Sequence, residues 1–330
     1  MRVLLAGFSY PPDAASLAAR VAEGLARQLV AVGDTVAVVA RRPGPAPMPP
    51  RIYTEHRSGV MVHWLAGGDA VPPRRDGETQ RLFGEILDAF VPDVLHVLDV
   101  EDGPPDAIAA ARRRGIPAVA DSHPVPGCVL FDPASASSGP RTTPEERGSL
   151  VLATIGEVRA SAGLETVLEA LRLADLGPVE LLVLGRVVDH PLARGLRALA
   201  EPVAGLALEL FGKVEAHELP GLLADVDCVL IPSEPSRSTA ADIRHALACG
   251  VPVACAFAGG PPDPARTGSA VLPFDLGGAH RLGEILQRVG GDPAFLARLR
   301  EAARSTPVLG PLAHARAVRR VYDEVLAANG

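Results

Sequence analysis

The chain has 330 residues, with 32 Lys and Arg against 39 Asp and Glu, a formal net charge of −7 and 48% hydrophobic residues. That length suits two domains of roughly 100–200 residues each with ample core. An acidic chain without a basic block excludes nucleic acid as its main partner, because phosphate backbones are held by clustered Lys and Arg; Lys213 is its only lysine.

The N-terminal third alternates short apolar runs with longer amphipathic ones, the pattern of a parallel sheet with helices on both faces. A buried strand is expected over 3–6, then a helix over 16–32 with Gly33 as its C-cap, and strands over 36–40 and 60–65. A helix over 81–90, a strand over 93–97, a helix over 104–114 and a strand over 116–120 follow, the last running into Asp121, Ser122 and His123. From 132 to 149 apolar periodicity is lost and Pro, Ser and Gly dominate, the composition of a linker. A second series then begins, with strands expected over 150–155, 179–184, 207–211, 228–231, 251–255 and 270–272. Its helices are expected over 164–173, 192–200, 217–223, 240–249 and 279–289. The reading is α/β, two doubly wound domains, and ligands in such sheets sit beyond the C-terminal ends of strands.

Four cysteines, Cys128, Cys228, Cys249 and Cys255, form no C-x-x-C pair, and the apolar setting of the last two favours buried thiols over a metal site. Residues 1–7 are too short for a signal peptide, and no run of about 18 apolar residues reads as a membrane span, so a cytoplasmic protein is expected. Asp99, Glu101 and Asp102 form an acidic cluster that is either a solvated loop or a place for a metal or a basic acceptor.

Several motifs recur in order. Ile155-Gly156-Glu157-Val158-Arg159-Ala160-Ser161-Ala162-Gly163 follows the first strand of the second series, and Leu182-Val183-Leu184-Gly185 closes the next strand. Glu209-Leu210-Phe211-Gly212-Lys213-Val214, the stretch ending Ile231-Pro232-Ser233, His245-Ala246-Leu247-Ala248-Cys249-Gly250-Val251-Pro252-Val253 and Gly259-Gly260-Pro261 come after them. Looser matches are Arg2-Val3-Leu4-Leu5, Tyr10-Pro11-Pro12, Pro92-Asp93-Val94-Leu95-His96 and the run 117–123. Together they resemble the retaining GT-B glycosyltransferases of family 4. The resemblance implies two Rossmann-like domains facing a cleft: a shortened acceptor domain over 1–131, the linker 132–149, a donor domain over 150–305, and a C-terminal segment 306–330 that crosses back to the first. It also implies transfer of a sugar from a nucleotide diphosphosugar to a small acceptor, with retention and with neither cofactor nor metal.

By the same resemblance the donor side comprises Gly156, Arg159, Gly185, Val214, Arg237, Ser238, Thr239, His245, Gly259 and Gly260. His123 inherits the role of a histidine that contacts the donor sugar and its phosphate, and Tyr10, Asp13, Ala15 and Ser16 form the loop over sugar and acceptor. Ser238 or Thr239 would cap the helix that follows, whose N-terminus and Arg237 offer donors to an anion. The sequence departs from the family where charge is handled. The family's Gly-Arg-x4-Lys-Gly turn carries Glu157 and Ala162 in place of its cations, its Glu-x7-Glu pair is Arg237 and His245, and its first-loop glycines are Ala14 and Ala15. A carboxylate beside a diphosphate repels it. Arg159 either substitutes for the missing arginine or pairs with Glu157, and Arg186 is a spare cation in a loop that, by the resemblance, approaches the nucleobase. Two alternatives to transfer stay open: an inactive glycosyltransferase-like partner or regulatory subunit, and another chemistry of the same fold such as epimerisation. The chain would act as a homodimer or beside a partner subunit.

Overall fold

The computed structural model describes residues 1–7, 10–11, 17–42, 51–66, 77–98, 106–120, 129–136, 141–233, 237–257 and 270–329. The chain divides into two compact units, Met1–Leu130 with Leu309–Gly330, and Phe131–Val308.

In the first unit, six strands stand in the order β3-β4-β2-β1-β5-β6: β1 Arg2–Ala6, β2 Thr35–Arg42, β3 Arg51–Arg57, β4 Val60–Ala66, β5 Val94–Val97 and β6 Ala118–Ala120. All pairs are parallel except β3 with β4. Helix α1, Leu17–Ala31, buries Ala22, Leu25, Ala26 and Leu29, one stripe at helical spacing, and the chain turns out of it at Gly33, whose φ of 95° suits glycine. On the opposite face α2, Gly77–Phe90, and α3, Ala107–Arg112, bury Phe83, Ile86, Leu87 and Ala111 against Leu4, Val39 and Leu95. The helix expected over 104–114 is thus shorter among the described residues, because Asp106 takes a left-handed conformation (φ 57°) ahead of it. The exposed strand β3 was not expected; its Arg-Ile-Tyr-Thr-Glu-His-Arg has no apolar run because it is an antiparallel edge.

The face shared with α1 is completed by the end of the chain. The terminal helix α11, Pro311–Asn329, packs Ala315, Val318 and Tyr322 onto the same cluster as Val3, Leu5 and Val94. Tyr322 is fully buried, with its hydroxyl 2.7 Å from Nδ1 of His96 on β5 and its ring edge-on to the imidazole. Asp34, whose side chain is 1% exposed, accepts from the Met1 ammonium at 2.9 Å and from Nε of Arg319 at 3.0 Å.

The second unit is parallel throughout, β12-β11-β10-β7-β8-β9, with β7 Leu150–Ile155, β8 Val179–Leu184, β9 Leu206–Gly212, β10 Cys228–Ile231, β11 Val253–Phe257 and β12 Val271–Asp275. Among the described residues its helices are α4 Pro144–Arg147, α5 Leu164–Ala174, α6 His190–Ala200, α7 Leu219–Leu222, α8 Arg237–Ala248, α9 Ala279–Gly291 and α10 Pro293–Ser305. One core joins α5, α6, α9 and α10 through Val167, Leu171, Leu196, Leu286 and Leu299. The single helix expected over 217–223 is instead a 3-10 turn, Ala216–Glu218, followed by the one-turn α7 with Pro220 in its first turn. Helix α10 was missed although its start was signalled: Asp292 caps it by accepting from Phe295 N at 2.9 Å, and Pro293 follows.

Part of the stretch read as a linker is built into this unit. Thr143 and Glu146 form a capping box around α4, and Arg141 donates to the carbonyls of Leu223, Val226 and Cys249. Asp227, fully buried at the entry to β10, accepts from Val151 N at 2.8 Å, from Arg147 and from Arg300. Removing one partner from such a group leaves a buried charge uncompensated, so the lattice of bonds around Asp227 fixes residues 141–147 to the second sheet.

Two outcomes follow for measurement. Tyr322→Phe should cost the first unit about 1 kcal/mol in urea unfolding for the lost hydrogen bond, and Tyr322→Ala about 3–5 kcal/mol for the cavity. Burial pushes the thiols of Cys228, Cys249 and Cys255 up to about 12, so at pH 8 they carry almost no thiolate. A thiol reagent should therefore titrate no more than one cysteine, Cys128, until denaturant is added.

Candidate functional site

The strand order of the second sheet reverses between β7 and β10, and in open α/β sheets the crevice beyond such a reversal is where ligands bind. The residues that close the strands there are glycines with a steric reason. After β7, Gly156 has φ 133°, and its N–H donates to Leu184 O at 3.1 Å. After β8, Gly185 lies so close that a Cβ on it would be 1.6 Å from the Gly156 carbonyl oxygen. Gly185 also bridges Gly212, the last residue of β9, which has φ 81°. Between β7 and α5, Gly163 has φ 71°, and a Cβ there would lie 2.6 Å from Pro232 O, so the loop after β10 presses on the start of α5. Of these, Gly156 and Gly185 were expected at the site. Gly163 and Gly212 were visible only as glycines inside matching motifs.

The backbone beyond β7 and β8 remains paired after the sheet ends. Val158 N donates to Arg186 O at 2.9 Å, Val158 bridges Val187, and the amides of Val188 and Asp189 both point to Val158 O. Asp189 then caps α6 by accepting from Leu192 N at 2.8 Å. This ladder carries two exposed charged side chains side by side: Arg186 Nη2 lies 2.7 Å from Glu157 Oε1. The pairing of Glu157 with Arg159 that the sequence left open does not occur. Arg159 precedes the 3-10 turn Ala160–Ala162 and is exposed, while the carboxylate takes Arg186. After β9, Lys213 pairs with Glu215 at 2.5 Å, and Val214 between them is half-buried.

On the β10 side, α8 begins at Arg237, so Ser238 and Thr239 lie in its first turn and are not its N-cap. The side chains of Arg237 and Ser238 fall outside the described residues; Thr239 is buried. His245 is 3% exposed and its ring meets Phe131 at 5.6 Å between centroids, which puts it in the interior of the unit, two turns along α8. In the first unit Tyr10, expected over the sugar, is 2% exposed and packs edge-on against Trp64 at 6.4 Å. Burial, reinforced by Glu23, pushes its hydroxyl up to about 12. The chain beyond it is held where Arg57 donates to Pro11 O. His123, Asp13, Ala15, Ser16, Gly259, Gly260 and the acidic cluster Asp99, Glu101 and Asp102 lie outside the described residues. Among the described residues no three His, Cys, Asp or Glu side chains converge as metal ligands, and no helix is long and apolar enough to cross a membrane.

Residues 18–154 match the family model described as a glycosyl transferase 4-like domain, and residues 149–287 match that of glycosyl transferases group 1. Among curated protein sequences, none matches the chain. Among solved structures, a glycosyltransferase from Rickettsia africae is 13% identical, with 98% of each chain covered and a TM-score of 0.68. Anabaena HepE, solved with UDP and glucose, is 13% identical over 98% of this chain and 100% of its own, with a TM-score of 0.63. Sucrose-phosphate synthase from Thermosynechococcus elongatus is 18% identical over 99% of each chain, at 0.61. At these identities the likeness is one of fold.

The glycine contact gives a direct test. Gly185→Ala should destabilise the second unit by about 3 kcal/mol, the upper end of overpacking, because backbone has to move. Gly195→Ala on α6, where a Cβ meets nothing within 4 Å, should stabilise by about 0.5–1 kcal/mol. Thermal unfolding of the two variants reads the contrast.

Proposed function

Because the chain belongs to the group 1 glycosyltransferases of GT-B fold, we propose that it moves a sugar from a nucleotide diphosphosugar to a small acceptor, with retention of configuration and without a metal. The observation that carries the reading is the glycine-lined end of β7 and β8 beside the reversal of strand order, where a ligand can lie against backbone. The donor nucleotide would occupy the edge formed by Gly156, Gly185 and Val214, with its diphosphate toward the start of α8 and Arg237, Ser238 and Thr239. Helix N-termini present unpaired N–H groups and positive dipole there, and arginine adds a planar donor, so charge developing on the leaving diphosphate is stabilised by the protein itself. That HepE was solved with UDP supports a nucleoside diphosphate as the first probe. In this reading His123 donates a hydrogen bond to the sugar or its phosphate, and Gly259 and Gly260 bring backbone amides to the donor.

A second reading, a glycosyltransferase-like partner that turns nothing over, is favoured by two observations: Glu157 sets a carboxylate in the turn directly after Gly156, and His245 is buried and not offered to ribose. Calorimetry with UDP, ADP and GDP decides first. One of them should bind with a Kd of about 10–100 µM, and binding by none of them overturns the donor site. Release of that nucleoside diphosphate from its nucleotide sugar then separates the two readings. Turnover that falls about 10²–10⁴-fold in His123→Ala supports transfer, while no release from any donor leaves the partner reading standing.

A further inference from the structure

We infer that Arg186, oriented by Glu157, grips the diphosphate of the donor nucleotide; the inference rests on the donor site proposed above. Among the described residues at the ends of β7, β8 and β9, the charged side chains are Glu157, Arg159, Arg186, Asp189, Lys213 and Glu215, and Asp189 is engaged in capping α6. Lys213 is occupied by Glu215 within its own loop. Arg186 differs because its pair joins two strands, and because its backbone is fixed on both sides. Gly185 before it is packed on Gly156, its own carbonyl accepts from Val158 N, and the amides of residues 188 and 189 return to Val158 O. An arginine whose stem starts from so constrained a point loses less freedom on gripping a ligand than one on a free loop.

The chemistry of the pair fits a phosphate group. A guanidinium has five N–H donors in a rigid fork, and among the described residues only Nη2 is engaged, with Glu157. Among the described residues Nε and Nη1 carry no protein partner and Nη2 keeps its second hydrogen, so Nη2 with one of them still presents an edge for a bidentate phosphate contact, and the Arg186 side chain is 65% exposed to receive it. Glu157 then has a defined task. It turns the fork by holding one nitrogen, and its own charge is offset by the arginine, so the carboxylate next to Gly156 need not bar a diphosphate.

The test compares the nucleoside diphosphate that binds the wild-type protein with the nucleoside lacking its phosphates. Arg186→Ala should weaken the diphosphate about tenfold or more, the worth of a hydrogen bond to a charged group, and leave the nucleoside unchanged. Arg186→Lys should recover only part, since an ammonium is not a fork. Glu157→Gln keeps an acceptor for Nη2 while removing a negative charge, and should tighten the diphosphate about threefold. Melting temperatures should not move, because an exposed ion pair adds little to stability. Diphosphate affinity within twofold of wild type in Arg186→Ala overturns the inference, as does an equal loss for the nucleoside, which would make Arg186 a base contact. Glu157→Gln weakening the diphosphate as much as Arg186→Ala overturns it too, since the pair would then be only a pin between strands. Absence of any nucleotide binding by the wild-type protein overturns instead the donor site itself.

Discussion

The carbonyl oxygen of Gly156 and the α-carbon of Gly185 approach so closely that no Cβ fits between them. What happens around the second sheet follows from that contact. The ends of β7 and β8 can close together only because Gly185 has no side chain there, while Gly156 supplies the φ of 133° that the turn needs, and the ladder continues past the sheet through Val158 and Arg186 O. Glu157 and Arg186 are therefore neighbours by backbone register, in the way cross-strand residues are neighbours within a sheet. The same absence of side chains leaves backbone, the least variable part of the chain, lining the place where a nucleotide is proposed to lie.

The second unit handles charge differently at its two ends. At the start of β10, Asp227 is buried and meets two arginines and a backbone amide, an arrangement that tolerates no loss of a member. At the far ends of the strands, Glu157 with Arg186 and Lys213 with Glu215 are exposed pairs, individually worth little to stability. Buried charge at one end sets where the chain enters the sheet, and labile charge at the other can exchange its partner for a ligand at small cost. The inferred role of Arg186 depends on that lability.

How much of this was legible in the sequence differs by element. The strands over 150–155, 179–184 and 228–231 are mostly apolar runs, broken only by the buried Thr154 and the exposed Glu180, as largely buried parallel strands are, and they stand where the pattern puts them. The exposed edge β3 carries charges along its length and gave no such run. The glycines of the site were legible as residues following strands, but the reason for Gly185 is an oxygen 29 positions earlier in the chain, which no local pattern contains. His245 and Tyr10 were selected by their places in motifs; burial against Phe131 and Trp64 depends on long-range packing that motif position does not report. The partner of Glu157 stayed open in the sequence for the same reason. Arg159 is near in sequence, whereas Arg186 is near across the ladder.

The hydrogen bond between His96 and Tyr322 spans 226 positions. Until the ribosome has added α11, the face of the first sheet bearing Val3, Leu5 and Val94 lacks one of its two covering helices, and Asp34 lacks Arg319. The second unit, Phe131–Val308, has its whole core within a continuous segment that is complete before α11 emerges. Synthesis from the N-terminus ordinarily lets the first domain fold first. Here the core of the first unit is completed by a helix made after the whole second unit, so part of its apolar face has no cover of its own until α11 emerges.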